Sequence, residues 1–275
     1  AFRNCSSLKH LIFEAPFSVC QLEITHFANV QHLEEITIQP SVKSIGIHAF
    51  CDCTSLAKVT IEEPSNIAAI KLFTFNNCAS LNKITIPPSV TSIESSAFNG
   101  CKKLTKLTIP SSVMEIKSRA FTDCSSLEQV IIQSQITVIE EDTFKGCKSL
   151  KQMNIPSSVE LIQKNAFNGC SSLRKISIDT PYSIKIIGES SFACCSSLTQ
   201  FLLPQTLNII ALNAFSDCSP LTQVTIPSSV TTIESNTFEG CSSLSQVTIP
   251  SLVTIIGSNA FRGCSLFTEI TIPSS

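Results

Sequence analysis

The chain has 275 residues, a formal net charge of −2 at pH 7 and a pI of about 6.1. This charge argues against general nucleic-acid binding, which depends on a basic surface. No run of the sequence approaches the roughly 18 apolar residues of a membrane-spanning helix, so no membrane insertion is expected from this chain.

A phenylalanine recurs along the whole chain, at intervals of 23 residues eight times and of 25 residues three times. These ladder phenylalanines are Phe2, Phe27, Phe50, Phe75, Phe98, Phe121, Phe144, Phe167, Phe192, Phe215, Phe238 and Phe261. A fixed period this short predicts a solenoid, in which each unit buries its apolar face only by stacking on its neighbours. We expect one array of about twelve units over residues 1–275. Because both ends fall within a repeat, we expect the array to be a fragment of a longer protein.

Each unit carries a strand signal, with positions counted from its ladder phenylalanine as position 0. Position +6 is leucine in every unit but the last, and positions +9 and +11 are apolar in all twelve. This alternation predicts a short strand, which the proline that often follows must end. A second aliphatic pair, such as Val90 with Ile93, then follows and is expected to pack on the side of the core opposite the strand. The longer intervals add two residues just after the strand, and the register resumes at Val19, Ile67 and Ile184.

Position +2 is glycine, asparagine or aspartate in every unit except the one with Cys194. These residue types tolerate positive φ, so we expect a left-handed residue there that ends a helical turn at the ladder phenylalanine. Cys194 is then predicted to be strained.

Eleven of the fourteen cysteines occupy position +3, one in each of eleven units. Cysteines at +3 of adjacent units would lie about 5 Å apart, which is within reach of a disulfide. Disulfides between pairs of neighbours would, however, make units differ from one another although their sequences around +3 are equivalent. We therefore interpret these residues as buried thiols that act as small hydrophobes, and leave the redox compartment open. Cys20, Cys51 and Cys194 stand elsewhere in the repeat, without obvious partners, and Cys51 is expected to be more accessible. The spacing fits no zinc motif, so no metal site is predicted.

Nothing in the sequence indicates catalysis or a cofactor. The four histidines His10, His26, His32 and His48 occupy unrelated positions of the repeat, so they do not stack into one site. No Gly-x-Ser-x-Gly elbow, phosphate-binding loop or His-Glu-x-x-His motif occurs. We therefore expect a non-enzymatic protein.

Recognition is expected on the outward face of the strands, because +8 and +10 point away from the core if +9 and +11 point inward. Position +8 is mostly lysine or glutamine and +10 mostly threonine, with Ile131 and Leu202 as isolated apolar residues. The candidate partner-binding residues are Lys58, Lys83, Lys106, Gln129, Ile131, Gln152, Lys175 and Leu202. A polar face of this kind also suits any exposed sheet, so the pattern leaves open that these residues have no binding role.

The lysines at +8 give this face a charge opposite to that of the whole chain. Positions +7, +8 and +10 hold seven basic and four acidic residues, a net +3. Lys58, Lys83 and Lys106 follow one another in three units and are expected to align about 5 Å apart along the sheet. An acidic protein surface or an anionic glycan would relieve their mutual repulsion. The alternative is that the lysines extend into water with little penalty.

The recurring order Cys-x-x-Leu-x-x-Ile-x-Ile-Pro-x-x-Val-x-x-Ile-x-x-x-Ala-Phe, almost intact from Cys101 to Phe121 and from Cys218 to Phe238, resembles BspA-like leucine-rich repeats. The resemblance covers essentially the whole chain. It implies a right-handed, curved solenoid with a parallel β-sheet on its concave face. It also implies a surface antigen or adhesin that binds extracellular-matrix or host-cell surface proteins. An intracellular scaffold or regulatory module in the cytoplasm, using the same face, is the alternative.

Overall fold

The computed structural model describes residues 2, 5, 7–11, 21–22, 27–268 and 270–273. The chain forms a parallel-strand solenoid of about ten turns with a spacing of about 23 residues, which confirms the predicted fold. No helix occurs among the described residues. The chain comprises two units, residues 1–135 and residues 136–275.

In the first unit, a strand of two or four residues that begins at +8 alternates with a two-residue strand. The strands are β1 (His10–Leu11), β2 (Gln21–Leu22), β3 (Glu35–Ile38), β4 (Ser44–Ile45), β5 (Lys58–Ile61), β6 (Ala69–Ile70), β7 (Lys83–Ile84), β8 (Ser92–Ile93), β9 (Lys106–Ile109), β10 (Glu115–Ile116) and β11 (Gln129–Ile132). We call the odd-numbered strands the main sheet, in which β1, β3, β5 and β7 pair in parallel and β9 pairs with β11. The even-numbered strands form the second sheet, in which β2 pairs with β4 and β8 lies between β6 and β10.

The second unit repeats this arrangement. Its strands are β12 (Val138–Ile139), β13 (Gln152–Ile155), β14 (Leu161–Ile162), β15 (Lys175–Ile178), β16 (Ile186–Ile187), β17 (Ile209–Ile210), β18 (Gln223–Thr225), β19 (Thr232–Ile233), β20 (Gln246–Thr248) and β21 (Ile255–Ile256). In its main sheet β13 pairs with β15 and β18 with β20, and a single bridge joins Lys175 to Gln200. In its second sheet β12, β14, β16 and β17 pair in that order, and β19 pairs with β21.

The core is built around the ladder phenylalanines. Those from Phe27 to Phe238 are less than 2% exposed, and consecutive rings within each unit stack with centroids 5.2–5.6 Å apart. Burying one such side chain contributes about 1.5–3 kcal/mol. Because the rings within each unit stack in succession, neighbouring turns of a unit stabilise one another.

The inward-facing side chains of the main-sheet strands pack in the core with the ladder phenylalanines. Leu107 and Ile109 are buried, as the alternation predicted, and Val90 and Ile93 form the opposite wall. The inward prediction is wrong for Ile270 and Ile272, which are exposed because no described residue of a later turn packs on them.

The two longer intervals that the structure describes leave the core intact. Ile67 and Ile184 are buried where the register was predicted to resume. Val19, the corresponding residue of the first interval, lies outside the described residues.

The backbone confirms the left-handed residue at +2. Asp52 has φ 60°, and Cys194 adopts φ 59°, a conformation that strains a residue with a β-carbon. The predicted helical turn is instead a hydrogen-bonded turn, in which the Cys53 amide donates to the Phe50 carbonyl over 3.2 Å. The structure adds a second left-handed position two residues before the phenylalanine, for example at Asn213 and Asn236.

The thirteen cysteines that the structure describes form no disulfide, and Cys20 lies outside the described residues. A buried +3 thiol typically donates a hydrogen bond to the phenylalanine carbonyl of the preceding turn, as Cys124 Sγ does to Phe98 O over 3.2 Å. Burial raises the pKa of Cys124 to about 12. Each such thiol therefore fills space and also bonds adjacent turns.

Cys51 is 9% exposed, whereas Cys101 and Cys124 are 0% exposed, so it is more accessible than these +3 thiols, as expected. Cys51 is buried, and its Sγ lies 3.2 Å from Asp52 Oδ2 and 3.7 Å from Asn76 Oδ1 of the next turn. Burial, followed by the hydrogen bond to Asp52, raises its pKa to about 12. Cys194 is exposed.

Candidate binding face

The outward face of the main sheet in the first unit carries five of the predicted site residues. Lys58, Lys83 and Lys106 are exposed, Gln129 is half-buried, and Ile131 is 45% exposed. Strand register places Lys58 beside Lys83 and Lys106 beside Gln129. The alternation of inward and outward side chains therefore positions these residues as the sequence predicted.

The second unit carries the other three, with Gln152 and Lys175 on its main sheet and Leu202 in a segment that forms no strand. Gln152 and Lys175 are exposed neighbours in register, and Lys175 bridges in turn to Gln200. Leu202 is 69% exposed. From residue 199 to residue 268 the positions +7, +8 and +10 hold no charged side chain, so this part of the face is polar but neutral.

The three lysines of the first unit do not form one uniform row. Lys58 Nζ lies 3.9 Å from Glu35 Oε2 of the preceding strand, where both side chains are more than half exposed. A pair so exposed contributes at most about 1 kcal/mol. Lys83 and Lys106 make no ion pair with any described residue. Of the three lysines, Lys83 and Lys106 are therefore the two whose charge is unpaired among the described residues.

The main sheet of the first unit is interrupted between Lys83 and Lys106. Strand β7 pairs with β5, and β9 pairs with β11, but no strand pairing joins β7 to β9. At the start of these strands, the amide at +7 usually donates to the +7 carbonyl of the preceding turn. Asn82 donates in this way to Ala57 over 3.0 Å, and Glu128 donates to Thr105 over 2.8 Å. The amide of Thr105 makes no such bond to the Asn82 carbonyl.

A groove lies at this interruption. It has a volume of about 660 Å³. Its lining residues come from the two adjacent turns and one residue after β11, and they are Asn82, Lys83, Ile84, Thr85, Ile86, Thr105, Lys106, Leu107, Thr108, Pro110 and Gln133. In the same two turns, the rings of Phe75 and Phe98 are inclined by 18°, the largest angle among the ladder pairs that the structure describes within either unit.

A second interruption occurs beside Leu202. The segment 200–203 forms no strand and lies next to β18 across a groove of about 290 Å³. Leu202 lines this groove with Gln200, Gln223 and Thr225. It contains no charged residue, in contrast to the groove between β7 and β9.

The sequence analysis did not identify the two grooves or their polar lining residues Asn82, Thr105 and Gln133. No local signal marks the interruption, because the segments Lys83–Ile86 and Lys106–Ile109 have almost the same sequence. Strand pairing depends on how adjacent turns pack against each other, which the repeat pattern does not encode.

The described residues contain no cluster of three histidine, cysteine, aspartate or glutamate side chains that could hold a metal ion. Nor does the described part of the chain contain a helix long and apolar enough to span a membrane.

A family model described as a BspA-type leucine-rich repeat region matches residues 1–71, 60–174 and 175–275. The chain belongs to the BspA-type leucine-rich-repeat family. No curated protein matches this leucine-rich-repeat chain.

Solved structures of bacterial leucine-rich-repeat proteins share the fold. A leucine-rich repeat protein from Bacteroides ovatus is 25% identical, with a TM-score of 0.60 over 91% of this chain and 81% of its own. A leucine-rich cell surface protein from Faecalibacterium prausnitzii is 26% identical, with a TM-score of 0.56 over 94% of this chain and 84% of its own. The pneumococcal vaccine antigen PcpA is 20% identical, with a TM-score of 0.55 over 86% of this chain and 61% of its own, and shows the fold alone.

Proposed function

We propose that this chain is a non-enzymatic module that binds protein partners at the cell surface through the outward face of its main-sheet strands. The observation that carries the proposal is the exposure of Ile131 and Leu202 within rows of threonine, glutamine and lysine. Apolar side chains surrounded by polar ones are the usual composition of a contact centre and its rim. The partner class is an extracellular-matrix or host-cell surface protein.

Surface location is supported by family membership and by the leucine-rich cell surface protein that the chain resembles at 26% identity. Antibodies raised against the folded array should label intact cells of the source organism without permeabilisation. Labelling only after permeabilisation would favour the alternative, an intracellular scaffold.

The binding face is tested by substitution of its apolar residues. Purified arrays carrying Leu202→Asp or Ile131→Asp should bind a partner captured from matrix or host-surface proteins at least tenfold more weakly than the parent. Truncating or charging one contact residue at the centre of an interface commonly has this effect.

The matched control is Met114→Asp, because Met114 is 73% exposed and lies beside the second sheet. This variant should bind like the parent. Equal losses for Met114→Asp and Leu202→Asp, or no loss for either main-sheet variant, would reject the proposed face.

A further inference from the structure

We propose that the groove between β7 and β9 is a binding site for a sulfated, acidic oligosaccharide. This inference deepens the proposed function, because it assigns a ligand class to one part of the same face. Lys83 and Lys106 line the groove from opposite sides, both are exposed, and neither has an ion-pair partner among the described residues.

No carboxylate lines the groove, so nothing within it neutralises the two ammonium groups. Elsewhere on the chain, comparable lysines are paired: Lys164 Nζ lies 2.8 Å from Glu189 Oε1, and Lys185 Nζ lies 2.7 Å from Glu160 Oε2. What sets the groove apart is that two unpaired lysines line one cavity whose described lining holds no carboxylate. Ammonium donors form their strongest hydrogen bonds with anionic oxygens.

The uncharged side chains favour a sugar as the carrier of those anions. Three threonine hydroxyls and two side-chain amides line the groove, from Thr85, Thr105, Thr108, Asn82 and Gln133. Hydroxyls and amides both donate and accept, as the hydroxyl groups of a sugar do.

The dimensions of the groove also favour an oligosaccharide. A volume of about 660 Å³ lies within the roughly 300–1,000 Å³ typical of sites for small ligands. It is bounded by side chains of only two adjacent turns and Gln133, so it suits a narrow chain of a few sugar units and not a protein surface. Ile84, Ile86 and Leu107 are buried beneath the groove, so the contacts with a ligand come from its polar side chains.

The test measures binding of a heparin-derived octasaccharide to the intact array by calorimetry at low salt. The double variant Lys83→Gln/Lys106→Gln should bind it at least tenfold more weakly than the parent. The control Lys43→Gln/Lys148→Gln removes the same charge from two exposed lysines outside the groove and should bind like the parent. Equal losses for the two double variants would show attraction to net charge alone and would overturn the site.

A second variant separates a shaped site from a charged patch. Thr108→Phe keeps both lysines but fills the groove, so it should also weaken octasaccharide binding at least fivefold. Unchanged binding by this variant would overturn the proposal. So would tighter binding of a poly-glutamate peptide than of the octasaccharide, because an acidic polypeptide would then be the preferred ligand.

Failure here is distinguishable from failure of the proposed function. The protein-binding test changes Leu202, which lies in the second unit at a groove without charged residues. Its result therefore does not depend on the lysines of the groove between β7 and β9. A parent array that binds its protein partner but not the octasaccharide would overturn the glycan site alone.

Discussion

At the scale of single residues, position +3 shows why cysteine suits the interior of this solenoid. Cys170 Sγ donates to the Phe144 carbonyl over 3.1 Å, and Cys218 Sγ donates to the Phe192 carbonyl over 3.2 Å. These carbonyls also accept an amide hydrogen bond from their own turn, so a weak donor is sufficient. A thiol satisfies this geometry at little desolvation cost, because it behaves largely as a small hydrophobe.

Thiol labelling tests the burial of these residues. With a maleimide at pH 8 under native conditions, Cys5 and Cys194 should react first, because both are exposed. Cys51 and Cys124 should react slowly, because they are buried and burial raises the pKa of each to about 12. Only the thiolate reacts. Unfolding should release all fourteen cysteines, whereas mass-spectrometric detection of bridges between adjacent +3 cysteines would contradict this.

The ladder phenylalanines should dominate stability. Phe144→Ala removes a fully buried ring that stacks 5.4 Å from Phe167, and it should destabilise the array by about 3–5 kcal/mol in urea unfolding. Ile131→Thr, at a side chain 45% exposed, should lower the free energy of unfolding by less than about 1 kcal/mol. Similar losses for the two variants would contradict the assignment of inward and outward positions.

At the scale of the repeated element, the close approach of adjacent turns restricts particular positions to glycine. A β-carbon added at Gly188 would lie 2.7 Å from the Ile162 carbonyl oxygen and 2.8 Å from the Gln163 carbonyl carbon. Both atoms belong to the main chain, which cannot move without disturbing the turn. Gly169 adopts φ 71° but has no atom nearer than 4.0 Å to an added β-carbon. The two glycines are therefore required for different reasons.

Paired alanine substitutions separate these reasons. Gly169→Ala meets only the left-handed backbone penalty and should lower the free energy of unfolding by about 1–2 kcal/mol. Gly188→Ala should lower it by about 3 kcal/mol or more, because the methyl group overlaps fixed main-chain atoms. Urea unfolding followed by circular dichroism measures both. A larger loss for Gly169→Ala would refute the packing explanation for Gly188.

At the scale of the whole molecule, an effect of one residue on the free energy of unfolding recurs in many turns, and these contributions add. The +3 thiols are an example, because burial raises the pKa of Cys53, Cys124 and Cys170 to about 12 in each case. An unfolded thiol ionises at about pH 8.5. Between these two values the unfolded chain binds fewer protons than the folded chain, so its free energy falls relative to that of the folded state.

The array should therefore lose stability as the pH rises from about 8.5 toward 12, and below that window its thiols should not make its stability depend on pH. Each buried +3 thiol should contribute a loss on the order of 2 kcal/mol by pH 10, from about 1.4 kcal/mol per pH unit. Urea midpoints at pH 8 and pH 10 measure the loss, which should be smaller in Cys124→Ala/Cys170→Ala. The control Cys194→Ala, at an exposed position, should retain most of the parental pH dependence. An identical decline in all three proteins would contradict the thiol explanation.

The features that repeat can be predicted from the amino-acid sequence alone. The spacing of the ladder phenylalanines, the inward and outward alternation at +8 to +11 and the left-handed residue at +2 all follow from local chemistry that recurs in each turn. Where turns fail to pair is visible only in the folded chain. Lys83–Ile86 and Lys106–Ile109 are nearly identical in sequence, yet β7 pairs on one edge alone and a groove opens between Lys83 and Lys106. The contact of Cys51 Sγ with Asn76 Oδ1 likewise depends on the next turn. Such features depend on contacts between adjacent turns, which no single repeat specifies.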